Sequence, residues 1–433
     1  MDVQSKQIPG IEYYDQLDRL QFHYPHYESP FRVSINANFS YWMDSYCCQW
    51  AINTSGPMRM NSRYVSSIRN SDLGFFSAVT FPTANWHRME KLMKWCMMFF
   101  IVDDYHDIVT QQSKDNKQIN CNYFWQHMID MLNGLEHNQC LNSDEWPDFI
   151  KGIQSVLSEM YFDYNDVQIR RSVRMIKDYI DGNVLETEWF DDDDDDENVN
   201  NENDIEKRKK ADKEELPDWD TYMKARLGSV GGQMSLQLIE YAKEVSLTDD
   251  QFNHTLMHRL ERAVSEEMTL VNDYLTFRKE VAENDFRFSK MRHAFPVLVN
   301  QGFTLQESVN RVHQMIMDKD RLIFRLMNRI MSEPSLNVDP SASAQLRLFL
   351  EGVDEFVGGY WRHAVTARRY HGLNFKGAIP PEGHFRYDPN MTVIVSSTLY
   401  RYRWLSDIPN NVQPNIEWVG SGRRDNTINE KRT

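Results

Sequence analysis

The stretch Met89-Glu90-Lys91-Leu92-Met93-Lys94-Trp95-Cys96-Met97-Met98-Phe99-Phe100-Ile101-Val102-Asp103-Asp104-Tyr105-His106-Asp107 decides the fold. Read backward from Asp103 at helical spacing, Phe100, Phe99, Cys96, Met93, Leu92 and Met89 form an apolar stripe that the aspartates continue. Asp103 and Asp107, four residues apart, share a side of that helix. Ionised carboxylates that continue a buried stripe must be paired or bound to metal, because stranding them there costs several kcal/mol.

A second face of the same kind lies far downstream. In Asn272-Asp273-Tyr274-Leu275-Thr276-Phe277-Arg278-Lys279-Glu280 the spacing of four puts Asn272, Thr276 and Glu280 on one side of a helix. All are oxygen ligands for a hard divalent cation. Magnesium is usually held by one or two carboxylates and completes its shell with waters and substrate phosphates. Two such faces therefore predict metal ions clamping a phosphorylated substrate between helices.

The rest of the chain supplies helices to carry these faces. Apolar residues recur at spacings of three and four around 86–110, 145–185, 220–246, 251–281, 304–332 and 342–371, and no set of alternating β-branched runs predicts a sheet. With 433 residues, 41% apolar and 12% aromatic, the chain can bury one large core, and the pattern predicts an all-α fold.

The net charge of −16 is unevenly placed. Residues 191–204 contain nine acidic and no basic side chains, six of them the run Asp191 to Asp196, which leaves −7 for the remainder. That stretch, continuing to about 215, reads as a disordered acidic insert between helices, too floppy to hold octahedral metal geometry. An acidic surface argues against nucleic acid or anionic membrane as partner. The five cysteines lack zinc spacing and read as reduced residues of a cytoplasmic protein. No apolar signal region opens the chain, and its longest apolar run is far shorter than the ~20 residues a membrane span needs.

The two motifs, in this order, resemble the signature of class I terpene synthases of the microbial type, and the texture is closest to those of soft corals and social amoebae. The likeness extends to Leu73-Gly74-Phe75-Phe76-Ser77-Ala78 through Phe81-Pro82 and Ala84, which looks like the run into the aspartate-bearing helix. Tyr222-Met223-Lys224-Ala225-Arg226, followed by Gly228, Ser229, Gly231 and Gly232, looks like the diphosphate-sensing arginine and the helix break after it. Arg226 lies 46 residues before Asn272, an interval customary in the family. Trp361 to Arg369-Tyr370 resembles the C-terminal Arg-Tyr pair, with Arg368 alongside, so either arginine is a candidate for the diphosphate.

The resemblance implies an α-bundle over 31–375 with a central active-site cavity, after an N-terminal segment 1–30 and before a tail 376–433 that is a candidate lid. It also implies a role for each site residue. Asp103, Asp104 and Asp107, together with Asn272, Thr276 and Glu280, would hold three Mg2+ ions, with Mn2+ as a substitute. Arg226, Lys279, Arg369 and Tyr370 would donate to the diphosphate, and a carbonyl at Val230 or Gly231 would point into the pocket from the helix break. Cys96, Phe99, Phe100, Met268 and Trp361 are the candidate pocket walls, the aromatic rings among them steering a carbocation.

The implied reaction is ionisation and cyclisation of an acyclic prenyl diphosphate to a terpene hydrocarbon. Geranylgeranyl diphosphate is favoured through the soft-coral likeness, with farnesyl diphosphate as the alternative. The protein is expected as a monomer or homodimer. A chain-elongating prenyl diphosphate synthase would carry a second aspartate-rich motif in place of Asn272, Thr276 and Glu280. A non-catalytic helical scaffold would need none of the accompanying Arg226, Lys279 and Arg369.

Overall fold

The computed structural model describes residues 21–56, 65, 68–115, 121–137, 139, 146–190, 216–283, 291–371 and 383–386. After a short strand β1 (Gln21–Tyr24) the chain forms α1 (Tyr41–Thr54), α2 (Leu73–Thr80), α3 (Trp86–Asp115), α4 (Cys121–Glu136), α5 (Asp148–Tyr161) and α6 (Asp166–Phe190). There follow α7 (Trp219–Ser229), α8 (Gly232–Lys243), α9 (Asp249–Phe252), α10 (Thr255–Glu283), α11 (Ala294–Asn300), α12 (Leu305–Ser332), α13 (Pro340–Thr366) and α14 (Arg368–His371), then β2 (Gly383–Arg386). The all-α expectation holds. The acidic insert 191–215 and all of the tail except β2 lie outside the described residues.

Local chemistry sets the helix ends that matter for the site. Asp218 caps α7 by accepting from the Thr221 amide at 2.8 Å, Thr304 and Glu307 form a capping box on α12, and Asp339 with Pro340 opens α13. Between α7 and α8 the chain breaks at Gly231, whose φ of +71° is left-handed backbone that glycine adopts without strain. The break expected from the cluster of glycines is therefore real. Its neighbour Gly228 serves packing instead, since a Cβ there would lie 2.6 Å from the Gly182 Cα, so that α6 and α7 touch backbone to backbone.

The long helices pack around α10, which lies against α12 and α13, while α13 closes on α2 and α3 packs on α5. One element was not expected. β1 pairs antiparallel with β2, Gln21 opposite Arg386 and Tyr24 opposite Gly383, joining the two ends of the described chain. The ribbon packs on α12, while Phe22 meets the Phe277 ring of α10 edge-on at 5.6 Å and the Tyr274 hydroxyl donates to the Pro25 carbonyl at 2.9 Å.

The packing around α10 also buries two carboxyls. Glu267 is fully buried and neither of its carboxylate oxygens has a hydrogen-bond partner, while Asp320 on α12 accepts from the Tyr27 hydroxyl at 3.1 Å. Burial pushes Asp320 up to about 7 and Glu267 well above the usual carboxylate range. The folded chain thus keeps a proton on Asp320 that the unfolded chain releases near its ordinary pKa, and stability is lost as pH rises from about 4 to 7. Asp320→Asn should therefore stabilise the fold more at pH 8 than at pH 5, by on the order of 2 kcal/mol. Thermal unfolding at both pH values measures this, and a gain independent of pH would refute the assignment.

Candidate active site

Helices α2, α3, α6, α7, α8, α10, α13 and α14 border one cavity. Descending α3 from Asp103 brings Phe100 and Phe99, then Cys96 and Trp95, onto its wall, and descending α10 from Glu280 brings Thr276, Asn272 and Met268. Across from them α7 presents Arg226, the break presents Val230, α8 adds Met234 and Leu238, and α13 and α14 add Tyr360, Arg369 and Tyr370. Polar groups gather at the end where Asp103 and Glu280 lie, and the apolar and aromatic side chains fill the space below them. Phe99 packs against Tyr179 at 4.6 Å between centroids, and Phe76 meets Phe100 edge-on at 5.7 Å.

Asp273 is the joint of the polar end. One of its carboxylate oxygens accepts from the Tyr222 hydroxyl and from the Ala294 amide at 2.9 Å, and the other accepts from Arg226 at 3.4 Å. Its carbonyl faces the ring Nε2 of His293 at 2.5 Å. Burial lowers the His293 pKa, so the ring is neutral. Nδ1 accepts from the Phe295 amide, which leaves Nε2 to donate. Asp273 thereby ties α7 and the start of α11 to the metal-type face of α10, and places Arg292 on the cavity wall.

Arg226 spreads its guanidinium over several acceptors. Nη2 donates to Asn272 Oδ1 at 3.2 Å and to Asp273, while Nη1 lies 3.5 Å from Glu186 and 3.4 Å from the Ser229 hydroxyl. Burial works against the charge, but Glu186, Tyr222, Asp273 and Glu280 outweigh it and hold the guanidinium ionised. The Tyr179 hydroxyl reaches Asp103 at 3.5 Å. Tyr360 is held far above the usual phenol range, first by burial.

The two neighbouring arginines separate cleanly. Arg368 is buried against Asp72, Nη2 to Oδ1 at 3.1 Å with neither side chain exposed, so it is a structural ion pair. Arg369 lines the cavity and lies over the Phe100 ring at 5.3 Å. The two candidates at the break also separate. The Gly231 carbonyl already accepts from the Ser235 amide at 3.0 Å and the Ser235 hydroxyl at 2.9 Å, whereas Val230 borders the cavity.

Of the expected residues, Asp103, Asn272, Thr276, Glu280, Arg226, Arg369, Tyr370, Cys96, Phe99, Phe100 and Met268 come together here. Trp361 does not: it packs edge-on against Tyr27 at 6.3 Å, because one step along α13 turns its side chain about 100° from the cavity-facing Tyr360. Gly231 shapes the turn without bordering the cavity. The side chains of Asp104, Asp107 and Lys279 lie outside the described residues. Missed from the sequence were Asn183 and Glu186, which share one face of α6 at a spacing of three, and Arg292. A polar pair at helical spacing was the available signal, but it reads equally as a solvated face.

Whether these residues suit a divalent cation can be tested on one atom. Thr276 Oγ1 is buried, borders the cavity and has no hydrogen-bond partner, as a hydroxyl kept for an ion would be. Among the described residues no three His, Cys, Asp or Glu side chains cluster closely enough to hold an ion alone, so ligands must also come from amide, hydroxyl and substrate oxygens. Among the described residues no helix is long and apolar enough to cross a membrane.

Comparison with known proteins agrees with this geometry. Residues 205–320 match terpene synthase family 2, C-terminal metal binding. The chain is 22% identical over 341 residues to (+)-germacrene D synthase of Selaginella moellendorffii, covering 78% of this chain and 86% of that one. It is 21% identical over 334 residues to germacrene A synthase of Nostoc punctiforme, covering 76% and 90%. The crystal structure of a-eudesmol synthase superposes with a TM-score of 0.60 at 16% identity, over 79% of this chain and 99% of that one.

Proposed function

We infer that this enzyme, which resembles the class I terpene synthases of the microbial type in its paired motifs, its fold and its matched metal-binding region, ionises and cyclises farnesyl diphosphate with release of diphosphate. The observation that carries the reading is the junction in one cavity of an end rich in oxygen ligands, flanked by Arg226 and Arg369, and an aromatic floor. The twenty-carbon substrate favoured by the soft-coral likeness gives way to the fifteen-carbon one, because the relatives matched over most of their length are named for germacrenes, which are sesquiterpenes.

Asn272, Thr276 and Glu280 would hold Mg2+ on one side and Asp103 on the other. When bound, the ions supply the positive charge that makes diphosphate a good leaving group. Arg226, Arg369 and Tyr370 donate charge-assisted hydrogen bonds to the departing oxygens, with Lys279 as a further donor by its place beside Glu280. Below them, Phe76, Phe99 and Phe100 offer ring faces that stabilise a passing carbocation by roughly 0.5 to 2 kcal/mol each. Val230 borders the cavity at the break that Gly231 makes, and its carbonyl would be the dipole that the resemblance implies toward the reacting carbon. A cytoplasmic setting fits the buried free thiols of Cys47, Cys48 and Cys96.

Substrate choice is measured as the ratio of kcat/KM for farnesyl over geranylgeranyl diphosphate. We expect at least about tenfold in favour of farnesyl diphosphate, the scale on which a pocket sorts chain length. A ratio below one would restore the twenty-carbon substrate.

A further inference from the structure

We propose that Glu186 is a positioning residue: the resting counter-ion of Arg226, which competes with the substrate diphosphate for the guanidinium and thereby sets how tightly the anion binds. The proposal rests on the reading that diphosphate binds at this end of the cavity.

Three observations carry it. First, Glu186 borders the same cavity as Arg226, its side chain is only 5% exposed, and among the described residues Arg226 is its one ion-pair partner, at 3.5 Å. Second, the pair is imposed by the backbone. The Gly182–Gly228 contact brings α6 and α7 together one helical turn below Glu186, so the carboxylate and the guanidinium are held face to face. Third, every contact of the guanidinium is long, between 3.2 and 3.5 Å, against about 2.7–2.9 Å for a well-formed charge-assisted bond. Its Nε is buried without a partner. The guanidinium is thus shared among Glu186, Asp273, Asn272 and Ser229, none of which holds it well.

The consequences for Glu186 and Asp273 differ. When a phosphate oxygen draws Arg226 away, Asp273 keeps the Tyr222 hydroxyl and the Ala294 amide. Glu186 is left as a buried carboxylate without its partner, which is costly. Glu186 therefore opposes anion binding, returns Arg226 to its resting place when diphosphate leaves, and so favours product release. A carboxylate kept only to orient Arg226 toward diphosphate would act in the opposite sense.

The test is titration calorimetry of the full chain with inorganic diphosphate in saturating Mg2+, with circular dichroism to confirm folding. Glu186→Gln keeps the shape and removes the charge. It should tighten diphosphate binding roughly five- to tenfold, the scale of a partly desolvated charge pair. In an Arg226→Gln background the same substitution should change affinity by less than about twofold, since the competing partner is gone. Glu186→Asp, which keeps the charge on a shorter arm, should fall between Glu186→Gln and the parent and serves if the glutamine variant fails to fold. Unchanged or weaker binding in folded Glu186→Gln, or the same gain without Arg226, would overturn the proposal. If the parent protein bound no diphosphate in Mg2+, the functional reading itself would fall, a result distinct from binding that ignores Glu186.

Discussion

Asn272→Ala is expected to slow prenyl diphosphate consumption by at least about a hundred- to a thousandfold while leaving the helical circular dichroism unchanged, the scale on which one oriented group at a developing charge acts. Asn272 occupies the middle of the polar end: its side-chain oxygen accepts from Arg226 at 3.2 Å, and its neighbour one turn along α10 is the unpartnered Thr276 hydroxyl. Alanine removes a metal-type oxygen and the link between that face and Arg226. The fold does not depend on it, because Asp273 keeps its own ties to Tyr222 and Ala294. Asp103→Ala should behave alike. Steady-state assays beside thermal melts decide the matter, and full activity in either variant would remove these residues from the site.

The adjacent arginines should fail in opposite ways. Arg368→Ala leaves Asp72 buried without its partner, a loss of about 3–5 kcal/mol, so its melting temperature should drop by several degrees. Arg369 instead borders the cavity and lies over the Phe100 ring. Arg369→Ala should melt close to the parent protein yet lose roughly a hundredfold in turnover, because a guanidinium that borders the cavity is removed. Melting and kinetics measured together on both variants test this. A destabilised Arg369→Ala with an unperturbed Arg368→Ala would reverse the roles.

The sequence made much of this site legible, for physical reasons that can be named. Asp103 could be placed because an apolar stripe runs without interruption from Met89 to Phe100 and the carboxylates continue it. Asn272, Thr276 and Glu280 lie four apart, so their common face follows from helix geometry alone. The break after Arg226 follows from glycines too dense for a continuous helix, and the φ of Gly231 bears it out.

What escaped depends on contacts between distant segments. Glu186 looks like any surface glutamate of α6 until the Gly182–Gly228 contact turns it toward Arg226. Arg368 and Arg369 differ only in which side of a one-turn helix each occupies, and Asp72, almost three hundred residues earlier, claims the first of them. Trp361 was placed in the pocket when the neighbouring Tyr360 occupies that direction. The ribbon of Gln21–Tyr24 with Gly383–Arg386 is four residues long on each side, too short for alternation to announce it.

The central claim is that this cavity ionises a prenyl diphosphate in a metal-dependent way. Its most direct test is incubation of the purified protein with farnesyl diphosphate, with and without Mg2+, followed by solvent extraction and gas chromatography with mass detection. The account predicts a fifteen-carbon terpene hydrocarbon in Mg2+ and none in its absence. It would be contradicted if no hydrocarbon formed in Mg2+ from farnesyl, geranyl or geranylgeranyl diphosphate, or if the protein instead lengthened these diphosphates with isopentenyl diphosphate.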